Sequence, residues 1–296
     1  MMAFPSTPRA NAMSSLDPAT LDDEYLPRRR VPDFERFFER WARDSAIARE
    51  REARRLDVPY GASEAETLDV FPTVRDHAPV LVFLHGGYWR GFDKRDFSWI
   101  APAFTREGAM VVVPNYALVP SVTMDTLVVQ VARSVAWTWR HAALYGGDPQ
   151  RVVVAGHSAG GHLTAMMASC LWPHLAPDLP ARVVSGGLAI SGLFDLEPLA
   201  RAPFLRDDIR LDAAGVRRLS PYRFVPPSTP VYATFGGAES DEFHRQSLML
   251  QGAWGETAVP VCEAIPGRHH FDILDDLADP HGRLHGLAMR LLGLAA

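Results

Sequence analysis

The order of apolar segments in this 296-residue chain predicts an α/β fold with a mostly parallel central sheet and helices on both faces. Three observations lead there. From Thr67 onward, short β-branched runs alternate with helical stretches. Val80 to Leu84 is apolar throughout, as a strand covered on both faces must be. Finally, Arg151-Val152-Val153-Val154-Ala155 runs straight into Gly156-His157-Ser158-Ala159-Gly160 and then into the helical stretch Gly161 to Ala168. Strand, Gly-x-Ser-x-Gly and helix in that order suit a sharp turn. Glycines on either side let backbone crowd in, and the serine hydroxyl is pushed out at the end of the sheet.

In chain order, Thr67 to Phe71 reads as an edge strand, and Val80 to Leu84 as a central one ending at His85-Gly86-Gly87. Phe97 to Glu107 reads as a helix and Ala109 to Val113 as the next strand, closed by Pro114-Asn115-Tyr116. Thr123 to Leu144 is a long amphipathic helix stopped by Gly146-Gly147-Asp148-Pro149. After the serine turn come the strands Val183 to Ile190 and Val231 to Phe235, then the helix Phe243 to Trp254. Val261 to Ile265 is the last strand, and Phe271 to Leu292 reads as one closing helix. Residues 1–20 read as a disordered leader and 21–296 as a single domain. The irregular, Pro- and Arg-rich segment at about 195–230 is the expected cap over one sheet edge. Leu21 to Tyr60 is a second candidate cover.

Composition narrows the function classes. A net charge of −5 gives no general reason to expect nucleic acid or an anionic membrane as partner. Arg28-Arg29-Arg30 and the stretch Arg49 to Arg55 are local basic clusters; the second has acidic residues interleaved, as on a solvated helix face. Cys170 and Cys262 are too few for a disulfide framework or a cysteine-rich zinc site. No apolar run reaches membrane-spanning length, and Met1 to Ser15 lacks the apolar core of a secretory signal, so the cytoplasm is expected. A homodimer is compatible with the sequence. No phosphate-binding glycine fingerprint appears, so neither a nucleotide cofactor nor another cofactor is expected. His281 and His285 have a spacing that can bind zinc on a helix, but without a third ligand they read as solvated residues and no metal is expected.

A serine hydroxyl needs a base to become a nucleophile at neutral pH. In a hydrolase built on this fold the order along the chain is serine, acid, histidine. The loop after the last strand supplies His269 and His270, of which His270 sits at the motif position. Three acids compete: Glu239 and Asp241 after the penultimate strand, and Asp195 after the one before. Glu239 is nearest the strand end and is preferred, while Asp241 reads as a helix N-cap. The amides of Gly87, Tyr88 and Ala159 are the candidate oxyanion donors. His85 is expected to brace the glycine loop, and His157 and His162 to pack away from the hydroxyl. Tyr88 and Trp89 are expected to form a flat apolar wall for an aryl substrate.

These residues carry a resemblance. His85-Gly86-Gly87-Tyr88-Trp89 resembles the His-Gly-Gly-x-Trp signature of the kynurenine formamidase (arylformamidase) branch of the α/β-hydrolase superfamily. Gly156 to Leu163, Tyr145 to Pro149, Glu242 to Ser247 and Gly267 to Leu274 fit the same branch. The likeness runs from about Tyr25 to the C-terminus. The resemblance implies an α/β-hydrolase fold, a triad of Ser158, Glu239 and His270, and N-formylkynurenine or a similar aryl formamide as substrate. The family's acid is aspartate, where this chain has Glu239. A carboxylesterase acting on small aryl or alkyl esters would use the same machinery, and a non-catalytic binding module is the reading from another class.

Overall fold

The computed structural model describes residues 17–294, so most of the expected leader lies outside the described residues. Asp17 already caps the first helix by accepting the Ala19 and Thr20 amides. An eight-stranded sheet forms the centre, in the order β1-β2-β4-β3-β5-β6-β7-β8. The strands are β1 (Arg55–Pro59), β2 (Thr67–Phe71), β3 (Ala78–Leu84), β4 (Met110–Pro114), β5 (Gly147–His157), β6 (Val184–Ile190), β7 (Val231–Gly236) and β8 (Val261–Ile265). From β4 to β8 the pairing is parallel, and β2 is antiparallel to both its neighbours.

Burial explains the apolar runs. Every residue of β3 is buried, because β4 and β5 flank it and helices cover both faces. β2 is not the edge. That place belongs to β1, whose Arg-Leu-Asp-Val-Pro sequence is mostly exposed and leaves no apolar run to detect. β2 instead carries a buried Asp69 paired with the buried Lys94 at 2.6 Å.

The helices are α1 (Pro18–Tyr25), α2 (Pro27–Arg30), α3 (Glu35–Arg51), α4 (Ala101–Thr105), α5 (Met124–His141), α6 (Ala159–Ala168) and α7 (Trp172–Leu175). They continue with α8 (Glu197–Arg201), α9 (Arg206–Ile209), α10 (Ala213–Leu219), α11 (Asp241–Ala258), α12 (Ile273–Ala278) and α13 (Arg283–Leu292). Two expected helices are divided. The stretch expected as a helix over 97–107 holds a 3₁₀ turn at Ser98–Ile100 before α4 begins, with Pro102 in α4's first turn. The closing helix breaks at Asp279-Pro280-His281-Gly282, because Pro280 has no N–H to donate and disfavours helix in the residue before it. His281 therefore lies in a turn while His285 is buried on α13 and stacks on Phe104. They form no helical pair, and no group that could hold a metal is found among the described residues.

The stretch expected as a cap holds α8, α9 and α10, but none of its residues lines the cavity beside Ser158, whereas Leu26, Pro27, Arg28, Phe38 and Trp41 of the N-terminal segment do. α3 buries Phe37, Trp41, Ser45 and Ala48, a spacing that lines up one helix face. Trp41 stacks on Trp99 with centroids 6.4 Å apart and contacts Phe97 and Phe271. Cys170, just past α6, and Cys262, in β8, are both half-buried and free, and burial pushes each thiol up to about 11. No described helix is long and apolar enough to cross a membrane.

Candidate active site

Ser158 sits between β5 and α6 with φ 58° and ψ −117°, a conformation non-glycine residues rarely adopt. The turn is tight enough to dictate its neighbours. A Cβ on Gly156 would lie 2.2 Å from the Gly160 carbonyl oxygen, and one on Gly160 would lie 2.0 Å from that of Leu84. Both positions therefore exclude any other residue. The Ser158 amide donates to the Ile190 carbonyl at 2.8 Å, which fastens the turn to β6.

The loop after β3 packs against this turn. A Cβ on Gly86 would lie 3.1 Å from that of Ser158. Gly87, Tyr88 and Trp89 all have positive φ, so the chain reverses within the loop. The amides of Gly87 and Tyr88 donate to no acceptor among the described residues, and Ala159 opens α6, where amides lack intrahelical partners. These are the three amides that the sequence offers as candidate oxyanion donors. His85 braces the loop as expected. Its fully buried ring stacks between Phe97 and Tyr116, and its Nδ1 contacts the Gly86 carbonyl at 2.9 Å.

Beyond β8, His270 is turned inward and Glu239 approaches it from the loop after β7. Nδ1 of His270 lies 2.7 Å from Oε1 of Glu239, and Oε2 of the same carboxylate accepts the Gly236 amide at 3.2 Å. The other candidates are spoken for. His269 Nδ1 accepts the amides of Phe271 and Asp272, which folds the turn before α12. Asp241 is exposed at the start of α11, and the cap is Ser240, not Asp241 as its sequence position suggests. Asp195 accepts the Glu197 amide and faces Arg245 at 3.9 Å.

Ser158 and His270 line one cavity of about 290 Å³. No hydrogen bond joins the hydroxyl to the ring among the described residues, as is common before substrate binds. The walls are Phe38, Trp41, Phe92, Phe97 and Phe271, with Tyr88 beside the serine. Trp89 is a correction. It is 0% exposed, meets His162 edge-on at 5.2 Å and belongs to the core, because the positive φ at Tyr88 and Trp89 turns the chain inward. Sequence reasoning missed α3 as a wall, although Phe34, Phe37, Phe38 and Trp41 crowd aromatics into an otherwise charged stretch. It also gave His157 only a packing or capping role. That ring does pack, 4.5 Å from His270, but it lines the cavity too.

Burial sets the protonation states. It pushes His157 down to about 3 and His162 to about 4, and it lowers His85 and His270 in the same direction. A neutral His270 at pH 7 has a lone pair with which to accept a proton. Burial raises the Glu239 carboxyl. The consequences for stability have opposite signs. Unfolded histidines protonate below about 6.5 while the folded ones stay neutral, so the stability present above that pH is lost as pH falls toward about 3–4. Glu239 contributes stability at low pH that is lost as pH rises through its raised value. Four imidazoles oppose one carboxyl. The Tm is therefore expected to fall between pH 7.5 and about 5, with at most about 1.4 kcal/mol lost per histidine per pH unit. Thermal melts across that range check it, and an unchanged or higher Tm at the lower pH contradicts it.

The chain is 30% identical over 247 residues to the kynurenine formamidase of Danio rerio, covering 80% of this chain and 82% of that one. The chain belongs to the kynurenine formamidase family. A family profile described as BD-FAE also matches residues 68–172, from β2 to the start of α7. Esterase LipQ of Mycobacterium tuberculosis is 30% identical over 248 residues, covering 75% of this chain and 58% of the esterase. Among solved structures, a provisionally assigned thioesterase from Silicibacter sp. TM1040 superposes with a TM-score of 0.78 at 30% identity. It covers 89% of this chain and 97% of that one. The kynurenine formamidase family and these esterases share the α/β-hydrolase fold seen here, and this member is a hydrolase of the formamidase or carboxylesterase kind.

Proposed function

We propose that this protein is a cofactor-independent serine hydrolase that removes a formyl or small acyl group from an aryl amide. N-formylkynurenine is the substrate its kinship points to. Ser158 attacks the carbonyl carbon while His270 accepts the hydroxyl proton, and the oxyanion is held by the amides of Ala159, Gly87 and Tyr88. Glu239 keeps a proton on Nδ1 of His270, leaves Nε2 free to act as base, and stabilises the imidazolium that forms. His270 then protonates the leaving amine. Water, deprotonated by the same ring, hydrolyses the formyl-enzyme to formate and free serine.

The observation that carries this reading is the 2.7 Å pair of His270 and Glu239 at the wall of the cavity that holds Ser158. The aromatic walls suit a planar aryl group, and the small volume suits a short acyl group. Similarity to LipQ favours a second reading, a carboxylesterase with the same machinery. Turnover of N-formylkynurenine beside a series of 4-nitrophenyl esters separates the two. We expect formamide turnover, and kcat/KM falling from acetyl toward octanoyl in a graded way, at about 1–3 kcal/mol per methylene at most. Rates that peak at long chains, with no formamide turnover, leave the carboxylesterase.

A further inference from the structure

The three arginines of α2 have different surroundings. Arg29 pairs with Asp22 and Asp23, and Arg30 reaches Glu24 at 2.7 Å, so both are neutralised by α1. Arg28 has no carboxylate partner among the described residues. Its guanidinium lies over the rings of Phe34 and Phe38, at 5.0 and 5.4 Å from their centroids. Stacking of this kind fixes a guanidinium in place without consuming its hydrogen-bond donors. Arg28 and Phe38 both line the cavity that holds Ser158.

The charges around that cavity are one-sided. Its lining contains Arg28 and Arg90 and neither Asp nor Glu, in a chain whose net charge is −5. Arg90 is already engaged by the Phe204 carbonyl and Asp208. Arg28 is thus the cavity's one unneutralised guanidinium among the described residues. A planar, always-charged fork at the mouth of an aromatic slot matches a carboxylate on the aryl side of a substrate.

We propose that Arg28 is a specificity-determining residue that binds a carboxylate on the leaving-group side, so that the preferred substrates are aryl formamides or esters whose leaving group bears a carboxylate. The inference rests on Ser158 and the surrounding cavity being the reaction site. It does not depend on whether the bond cut is an amide or an ester.

Two matched pairs test it: 4-acetoxybenzoate with its methyl ester, and 4-formamidobenzoate with its methyl ester. The readout is the anionic-to-neutral ratio of kcat/KM, compared between wild type and variants so that intrinsic reactivity cancels. Arg28→Met is expected to lower that ratio about tenfold, chiefly through a higher KM for the anion. Arg28→Lys should keep part of the preference. Arg29→Met, whose charge is spent on α1, should leave the ratio as it was. Added salt should shrink the wild-type ratio and barely move that of Arg28→Met. The same contact can be read without turnover, as benzoate binding to Ser158→Ala that weakens in the Ser158→Ala/Arg28→Met protein. An equal loss on both members of each pair, or unchanged ratio and benzoate binding, overturns the proposal. A charge preference confined to the ester pair, with neither formamide cleaved, sustains Arg28 and removes the formamidase reading. Formamide cleavage without charge preference does the reverse.

Discussion

Replacing Ser158 by alanine is expected to lower kcat by about 10⁶-fold while the protein still folds. The size follows from what is lost. Without the hydroxyl no acyl-enzyme can form, and only the oxyanion donors and the cavity remain to help water attack. Folding should survive because the bonds that fasten the turn are made by backbone. The Ser158 amide still reaches the Ile190 carbonyl, and the His162 amide still donates to the Ser158 carbonyl at 3.1 Å. Alanine meets the same positive φ that serine already tolerates there. Unfolding midpoints should shift by no more than about 1 kcal/mol equivalent. A fluorophosphonate probe that labels wild type at this residue should leave the variant unlabelled. Retention of more than about 1% of turnover by a pure variant would mean that another group supplies the nucleophile.

Glu239→Gln should be the next most damaging conservative change, lowering kcat by about 10⁴-fold as the corresponding acid-to-amide change does in serine proteases. The geometry gives the reason. Oε1 stands 2.7 Å from Nδ1 of His270, and the Gly236 amide occupies the other oxygen. A glutamine that kept its oxygen toward Gly236 would turn its NH₂ to the ring, forcing Nδ1 to accept and moving the ring proton to Nε2. The base would then be capped on the side that must take the serine proton. KM should change little, because Glu239 does not line the main cavity. Asp241→Asn, at an exposed position, should retain near-normal kcat. Asp195→Asn should act on stability, since its carboxylate serves the Glu197 amide and Arg245. An active Glu239→Gln enzyme beside a crippled Asp195→Asn or Asp241→Asn enzyme would transfer the role.

Local sequence carried most of the fold and the core of the site. A strand buried throughout, such as β3, has to be apolar along its length, and so does the buried second half of β5, so their runs declare them. A Cβ on Gly156 or Gly160 would lie 2.2 or 2.0 Å from a backbone oxygen, which is why the elbow is written as a pentapeptide. The edge strand β1 left no such trace, because a solvated edge needs no apolar run. Pro280, which divides the closing helix, was present in the sequence but was outweighed by the apolar pattern on either side.

What the sequence by itself determined was chemistry set by neighbours along the chain: the serine on its turn, the glycine loop after β3, and a histidine after the last strand. Which of three acids faces His270 depends on residues 29 to 75 positions away, and a local motif has no access to that distance. The tertiary structure set the already preferred Glu239 2.7 Å from His270, and it alone buried Trp89 in the core and brought Phe38, Trp41 and Arg28 across the sheet edge to enclose the cavity. The physical reason is the same in each case. Burial and the pairing of charges are properties of surfaces that meet in space, and those surfaces come together only when the N-terminal helices fold back over the ends of the strands.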